Sequence, residues 1–344
     1  MKVVITADWH FGHPTRLNDH EWAFNSIIDY CNINKIGNIF LLGDLIDDRR
    51  YVTHDVNNKV VELLRKARTN NIDVVAFPGN HDMYWRFSWK ASAIGPYSDH
   101  LTLIDYVGHF TLGSRKFWVI PFIEHEDIYQ KVLMDVSNLA NENDVLLTHI
   151  GVSAAVMNVS FLLQNWSVVS FEDTKFSKVF TGHFHCHQKV GKKTWYPGSP
   201  FAFRFDEGVV EHGFIVYDTE TGEHEFINIY TIGSQVNQPP EFVTIDKDDV
   251  DKDFISGNNV KVMLAAGDNE DEIRAKLQTL GAKNISFTKI ADKVIDFTTV
   301  KDISSDGMFK SWVEFDKPDG YDVDMLMSLN KEIEFETPIE IEDD

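Results

Sequence analysis

The chain has little cysteine and no long apolar run. Cys31 and Cys186 are the only cysteines among 344 residues, which excludes a disulfide framework. No apolar stretch approaches the roughly 18 residues of a membrane span. Met1 and Lys2 lead directly into a predicted strand, without the apolar core of a signal peptide. We therefore expect a protein of the reducing cytoplasm that has no membrane partner.

Positive charge is also scarce. The 32 Lys and Arg residues stand against 54 Asp and Glu residues, so the formal net charge is −22. Residues 235–344 hold 26 of these acids and only 12 bases, so the acidity is concentrated in the last third. Because nucleic-acid phosphates bind Lys and Arg, no extended nucleic-acid surface is expected. Binding to DNA would have to be local, centred on metal ions, or shared with a partner.

Apolar runs and helical patterns alternate along the chain. Residues 2–7, 38–42 and 73–77 are predicted strands, and amphipathic helical spacing separates them, which is typical of a parallel α/β sheet. A second group of strands is predicted at 117–122, 145–148, 178–181, 194–196, 213–217 and 225–230, with a helix at 128–139. The predicted fold class is α/β, with two packed sheets flanked by helices.

Three regions are predicted. Residues 1–232 form the main domain, because the polar segment 233–240 that follows it carries two prolines. Residues 233–319 contain a short βαβ pattern and are expected to form a small α+β domain. Residues 320–344 form an acidic segment with an amphipathic helical pattern at 321–330.

Polar side chains follow five of the predicted strands. The segments are Asp8-Trp9-His10, Gly43-Asp44, Gly79-Asn80-His81-Asp82, Thr148-His149 and Gly182-His183-Phe184-His185. Together they offer seven nitrogen or oxygen donors: Asp8, His10, Asp44, Asn80, His149, His183 and His185. Such donors suit Mn, Fe or Zn. Seven donors are more than one tetrahedral metal site needs, but they fit two metals that share a carboxylate. Two such metals are a common arrangement for hydrolysing phosphate esters. The pattern predicts a metal-dependent phosphoesterase.

Each of these five segments is a weak signal by itself, so the prediction depends on all five occurring in this order. Asp8 and His10 alone could be surface or capping groups, and Asp82 is interpreted as a helix cap or a partner of His81.

The alternating residues after Pro200 predict a strand that buries Phe201, Phe203 and Phe205 and leaves Arg204 as a candidate phosphate contact. The aromatic residues Trp85, Phe87 and Trp89 could equally pack inside the chain or line an interface.

The strings DWHFG, GDLID, GNHD, THIG and GHFH, in this order, resemble the calcineurin-like metallophosphoesterase superfamily. DWHFG near the N-terminus and YPGSP after GHFH resemble more narrowly the SbcD-type DNA nuclease subunits. The run from FRFDEG through HGFIVYDTETGE resembles their tailed-phage recombination-nuclease relatives. The resemblance covers residues 1–232. It implies a nuclease domain there, a capping domain at 233–319, and a possible partner-docking element at 320–344.

The resemblance also implies the roles of the site residues. One divalent ion would be held by Asp8, His10, Asp44 and His185, and the other by Asp44, Asn80, His149 and His183. Asp44 would bridge the two ions, and His81 would be a catalytic histidine that binds no metal. Mn²⁺ is the expected metal, with Mg²⁺, Fe²⁺ or Zn²⁺ as alternatives. Many family members have a histidine at the position of Asp47, so this chain departs from the pattern there.

The resemblance implies a two-metal DNA nuclease, an exonuclease or endonuclease of recombination and repair, that cleaves phosphodiesters with a hydroxide shared by the metals. Its implied partners are DNA, an SbcC-type ATPase subunit and a second copy of the nuclease chain. A phage-encoded chain would work in the host cytoplasm. Two alternatives remain at this point: a phosphodiesterase or phosphatase acting on a small molecule, and a scaffold subunit with a degenerate site. The full donor set argues against the scaffold.

Overall fold

The computed structural model describes residues 1–12, 16–85, 88–158, 161–162, 169–208, 210–247, 255–265 and 267–289. One compact unit comprises residues 1–263 and 269–288, and the rest of the chain belongs to a second unit. The predicted helix at 321–330 and the acidic tail lie outside the described residues. The domain boundaries at 233 and 320 stay a prediction.

The first sheet contains six strands in the order β16-β15-β1-β2-β3-β6. Its strands are β1 (Lys2–Thr6), β2 (Asn38–Leu41), β3 (Asp73–Ala76), β6 (Thr102–Leu103), β15 (Gly213–Asp218) and β16 (His224–Asn228). β1, β2, β3 and β6 are parallel, whereas β15 and β16 are antiparallel additions joined by a tight turn. The turn contains Gly222 with a φ of 76°, a left-handed conformation that glycine adopts easily.

The second sheet also contains six strands, in the order β13-β14-β12-β9-β8-β7. Its strands are β7 (Gly108–Leu112), β8 (Arg115–Ile120), β9 (Val145–His149), β12 (Lys178–Gly182), β13 (Gln188–Val190) and β14 (Thr194–Tyr196). The four central strands are parallel, and both edge strands are antiparallel.

Long helices cover the outer faces of the sheets, and short strands form hairpins. The helices are α1 (Leu17–Asn34), α2 (His54–Thr69) and α3 (Glu126–Leu139), and the single turn α4 (Ile229–Ile232) follows β16. The hairpins are β4 (Met83–Trp85) with β5 (Ser88–Ser92), and β10 (Val156–Asn158) with β11 (Phe161–Leu162).

Alternating side chains explain the layers. Val3 and Ile5 of β1 lie in the core between the two sheets with Phe180 of β12, whereas Val4 faces the helices α1 and α2. α3 packs Tyr129, Leu133 and Val136 on the outer face of the second sheet. The result is a helix–sheet–sheet–helix sandwich, and the predicted fold class is confirmed.

Residues 242–289 contain a smaller sheet of three strands. These are β17 (Phe242–Asp246), β18 (Asn259–Leu264) and β19 (Asn284–Lys289), with the helix α5 (Glu270–Thr279) between the last two. β17 and β18 are parallel. The predicted βαβ pattern corresponds to β18, α5 and β19, whereas the strand β17 was not predicted.

The predicted strand after Pro200 is wrong. The N–H of Phe203 donates to Oε2 of Glu207 at 2.7 Å, and the N–H of Glu207 donates to the carbonyl of Arg204 at 3.2 Å. These local bonds replace the partners that a strand would need, so the segment turns. The prediction that phenylalanines pack inside is confirmed for Phe201 and Phe203, which are buried.

Candidate metal centre

The seven predicted donors lie at one edge of the sandwich. Asp8, Asp44 and Asn80 follow the carboxyl ends of β1, β2 and β3, His149 ends β9, and His183 and His185 follow β12. In parallel sheets such ends lie side by side, so residues distant in sequence meet there. The main-chain N–H of His10 donates to the carbonyl of Asp44 at 3.0 Å, which ties the first two loops together.

One group of donors forms around Asp8. Nε2 of His10 lies 3.0 Å from Nε2 of His185, and a carboxylate oxygen of Asp8 lies within 4.8 Å of both rings' ligand atoms. Oδ1 of Asp8 accepts the N–H of His183 at 2.9 Å. Oδ2 of Asp8 is buried and has no hydrogen-bond partner among the described residues. A buried carboxylate oxygen beside two facing imidazole nitrogens fits a divalent cation.

A second group forms around Asn80. Oδ1 of Asn80 lies 3.0 Å from Nε2 of His149 and 2.8 Å from Nδ1 of His183. Nδ1 of His149 donates to the carbonyl of Leu42 at 2.8 Å, so the neutral ring presents a lone pair at Nε2. This lone pair faces oxygen acceptors, and such an arrangement requires a proton or a metal cation between them.

Asp44 lies between the two groups. Its Oδ2 is 3.8 Å from Nε2 of His10 and 3.3 Å from Nε2 of His149, while its Oδ1 accepts the N–H of His81 at 2.8 Å. Asp44 is buried, as are His10 and His149. The carboxylate therefore has the position that a ligand shared by two cations needs.

The pKa values show how strongly the centre demands positive charge. Burial raises the pKa of Asp8 to about 6. Burial also opposes ionisation of Asp44, but the neighbouring rings of His149 and His10 outweigh it and hold the pKa of Asp44 below its usual range. For His149 burial is outweighed by Asp44, and its pKa rises to about 9. In the metal-free chain a proton on His149 thus balances Asp44, and a bound cation would replace it.

The backbone is strained at the donors. Four non-glycine donors have positive φ angles: 54° at Asp8, 47° at His10, 51° at Asp44 and 108° at His183. Such conformations are costly and concentrate at functional sites, where the surrounding contacts maintain them. Here the strain aims side chains of neighbouring loops into a common volume.

Close approach explains two glycines of the predicted segments. A Cβ at Gly79 would overlap the carboxylate of Asp44, and a Cβ at Gly182 would overlap the carbonyl of Leu42 and lie 2.7 Å from Nδ1 of His149. Glycine therefore lets the loops approach Asp44 and His149 closely.

His81 lies beside the donors. Its Nδ1 donates to the carbonyl of Asp47 at 2.6 Å, and its ring meets that of His10 edge-on with centroids 4.7 Å apart. Ligand atoms of His81, His10 and Asp44 lie within 4.8 Å of one another. The ring therefore has access to the centre, and its predicted role without a metal bond stays a prediction.

Asp47 and Asp82 support the loops. The carbonyl of Asp47 orients His81, and its carboxylate Oδ1 lies 3.3 Å from Nδ1 of His10. Asp82 is neither a helix cap nor a partner of His81. Its buried carboxylate accepts the N–H groups of Leu45, Ile46 and Gly79, which ties the second loop to the third, and burial raises its pKa to about 7.

Glu207 is a supporting residue that the sequence patterns did not reveal. It is buried, and its Oε1 accepts a hydrogen bond from Nδ1 of His185 at 2.9 Å. Carboxylates commonly hold metal-binding histidines from behind in this way. The FDEG string offered an acid after YPGSP, but its distance from His185 in sequence gave no reason to pair the two.

An open cavity of about 450 Å³ borders the centre. Its lining includes His10, Asp47, His81, His183, Phe184, His185, Phe203 and Arg204. Among the described residues, Arg204 is the only Lys or Arg in this lining, and its side chain is 64% exposed. Its guanidinium also lies 3.3 Å from Oε1 of Glu207. The side chains of Trp85, Phe87 and Trp89 lie outside the described residues.

This fold and donor set define a phosphoesterase of the metal-dependent type. The sequence matches the calcineurin-like phosphoesterase family over residues 1–187, and the chain belongs to this family. No described helix is long and apolar enough to cross a membrane.

Known proteins that are similar to the chain include the following three. The T4 phage protein named exonuclease subunit 1 is 24% identical over 257 residues, covering 66% of this chain and 67% of that protein. The SbcD chain of the nuclease SbcCD from Staphylococcus saprophyticus is 22% identical, covering 84% and 78%. DNA double-strand break repair protein Mre11 of Methanocaldococcus jannaschii is 22% identical, covering 96% and 94%. These similarities confirm the resemblance to SbcD-type nucleases.

Proposed function

We propose that the chain is a two-metal DNA nuclease that works as the nuclease subunit of an SbcCD-type complex. The observation that carries the proposal is the position of the Asp44 carboxylate between the Asp8 and Asn80 donor groups. Relatives named as an exonuclease subunit, a nuclease subunit and a double-strand break repair protein favour DNA as the substrate.

Two metal positions follow from the donor groups. The Asp8 position comprises Asp8, His10, Asp44 and His185, and the Asn80 position comprises Asp44, Asn80, His149 and His183. We expect Mn²⁺ at both positions, and Mg²⁺, Fe²⁺ or Zn²⁺ would suit the same donors. Bound there, two divalent ions would offset the charge of a phosphodiester and lower the pKa of water.

The side chains around the cavity divide the remaining work. His81, held by the carbonyl of Asp47, would stabilise or protonate the leaving oxygen. Arg204 would bind a non-bridging phosphate oxygen from the cavity mouth. Phe184 and Phe203 line the same cavity and would provide apolar contacts to the substrate.

The charge of −22 makes strong DNA binding by the isolated chain unfavourable. We therefore propose that an SbcC-type ATPase subunit, together with a second nuclease chain, supplies much of the DNA-binding surface. The acidic segment 320–344 would be the docking element for the ATPase, residues 233–319 would form a capping domain, and residues 1–232 would form the nuclease domain. The setting would be the cytoplasm, and recombination or repair the process.

The same charge, and a described cavity lining with one Lys or Arg, favour one alternative, a phosphodiesterase that acts on a small molecule. A digestion assay with added Mn²⁺ separates the two functions. Linear DNA, circular DNA and a generic phosphodiester are incubated with equal amounts of protein, with and without a chelator. Chelator-sensitive digestion of DNA supports the proposal. Turnover of the generic substrate with intact DNA would favour the alternative.

A further inference from the structure

The histidines of the two metal positions differ in what lies behind them. At the Asp8 position, Nδ1 of His185 donates to the carboxylate of Glu207 at 2.9 Å, and Nδ1 of His10 lies 3.3 Å from Oδ1 of Asp47. At the Asn80 position, Nδ1 of His149 donates to a neutral carbonyl, that of Leu42. Both histidines of the Asp8 position thus have a carboxylate behind them, whereas the group behind His149 is neutral.

The metal ligands themselves also carry more negative charge at the Asp8 position than at the Asn80 position. The Asp8 position contains two carboxylates, those of Asp8 and Asp44, whereas the Asn80 position has a neutral amide in place of the second. Glu207 is 1% exposed, so solvent screens its charge poorly, although Arg204 offsets part of it at 3.3 Å. The ligand carboxylates and the carboxylates behind the histidines therefore both favour a cation at the Asp8 position.

Geometry reinforces the charge. The bond to Glu207 fixes Nδ1 of His185 as the protonated nitrogen, so Nε2 carries the lone pair toward His10. Asp47 stands in the same relation to His10, though its contact is not aligned as a hydrogen bond. Oε2 of Glu207 also accepts the N–H of Phe203 at 2.7 Å, which anchors the carboxylate.

We propose that Asp47 and Glu207 are positioning residues that make the Asp8 position the tighter of two unequal metal sites. This inference rests on the proposed two-metal function and extends it to an order of filling. The Asp8 position would bind first, and the Asn80 position would fill at higher metal concentration.

Titration of the metal-free chain with Mn²⁺, followed by electron paramagnetic resonance of free Mn²⁺ and by calorimetry, tests the proposal without substrate. Two classes of site whose affinities differ by about tenfold or more are expected. Glu207→Gln and Asp47→Asn retain an oxygen acceptor but lose the charge. Each should weaken the tighter class by about 10–100-fold and leave the weaker class unchanged. The control is Asp206→Asn, which removes a neighbouring negative charge. The carboxylate of Asp206 lies 3.9 Å from Arg204.

Three results would overturn the inference. They are equal affinities at both sites of the unaltered chain, an unchanged tighter class in both variants, and equal weakening of both classes. Each of them leaves the two-metal function standing if the chain binds two ions and cleaves DNA. A chain that binds fewer than two ions would instead refute the proposed function itself.

Discussion

The main-chain N–H of His183 donates to Oδ1 of Asp8 over 2.9 Å. Asp8 follows β1 of the first sheet and His183 follows β12 of the second, so this bond joins the two sheets at their carboxyl edge. It also orients the carboxylate and leaves Oδ2 for a cation. Sheet pairing and metal binding thus depend on the same loops, and variants must be checked for both.

Asp44 provides the most direct test of a shared ligand. Asp44→Asn keeps an acceptor for the N–H of His81 but removes the charge between the donor groups. We expect hydrolysis to be abolished and metal occupancy to fall at both positions, as measured by elemental analysis after gel filtration. Asp73→Asn is the matched control, because Asp73 is exposed at the opposite end of β3. Two tightly bound ions with normal turnover would refute the two-metal assignment.

His81 separates chemistry from metal binding. If its ring acts on the leaving oxygen, His81→Ala should lower kcat by about 10²–10⁴-fold. The metal stoichiometry should equal that of the unaltered chain. Asn80→Ala provides the comparison, since it removes an oxygen that contacts His149 and His183. Equal metal loss in both variants would instead assign His81 to the ligand set, which its distance from Asp44 allows.

The stability of the metal-free chain should depend on pH through His149. Its pKa in the folded chain is about 9, against an ordinary value of 6.5, because Asp44 outweighs the effect of burial. Between pH 6.5 and 9 the folded state therefore holds a proton on His149 that the unfolded chain has lost. The resulting stabilisation is complete below pH 6.5 and is lost as the pH rises through 9.

We expect the Tm in the presence of a chelator to fall between pH 6.5 and 9. The fall should be smaller with saturating Mn²⁺, which replaces the proton, and smaller in His149→Gln. A Tm that rises across this window in the metal-free chain would contradict the assignment. Calorimetry in buffers of different ionisation enthalpy should also detect proton release when metal binds at about pH 7.5.

Arg204 should affect substrate binding more than chemistry. A charge-assisted hydrogen bond to phosphate contributes roughly 1.5–3 kcal/mol, so Arg204→Ala should raise KM by about tenfold or more with a small change in kcat. Arg65→Ala, which removes an exposed arginine from α2, is the control. Steady-state kinetics on a short phosphodiester measure both constants. A large fall in kcat at constant KM would show that Arg204 acts on the metal centre through Glu207 instead.

The sequence predicted the donors because they follow strands whose pairing in the sheets brings their ends together. Asp8, Asp44 and Asn80 each come within three residues of the end of an apolar run, and the parallel pairing of β1, β2 and β3 is enough to place them side by side. Glu207 could not be found in this way, because it reaches His185 from an irregular turn and no periodicity marks such a residue. The alternating phenylalanines before it even suggested a strand.

The supporting acids show the same limit. Asp82 was interpreted as a helix cap or a partner of His81, but β4 follows it and its carboxylate accepts the N–H groups of neighbouring loops instead. The position of Asp47 departs from the family pattern, and only the structure shows that its carbonyl holds His81. The positions of the metal donors follow from the sheet topology. The residues that hold the donors in place depend on side-chain packing between distant segments, which local sequence patterns do not reveal.

The acidic C-terminal segment should bind the partner rather than support catalysis. Its amphipathic pattern at 321–330 places Val323, Leu326, Met327 and Leu329 among acidic residues, which suits an apolar groove on an ATPase subunit. A chain ending at residue 320 should retain two metals and nuclease activity but fail to co-purify with a co-expressed SbcC-type ATPase. In the full chain, Leu326→Asp should have the same effect on co-purification, whereas Ser328→Ala should not. Normal complex formation by the shortened chain would refute the docking role, and loss of the metals would show that the segment folds back on the nuclease domain.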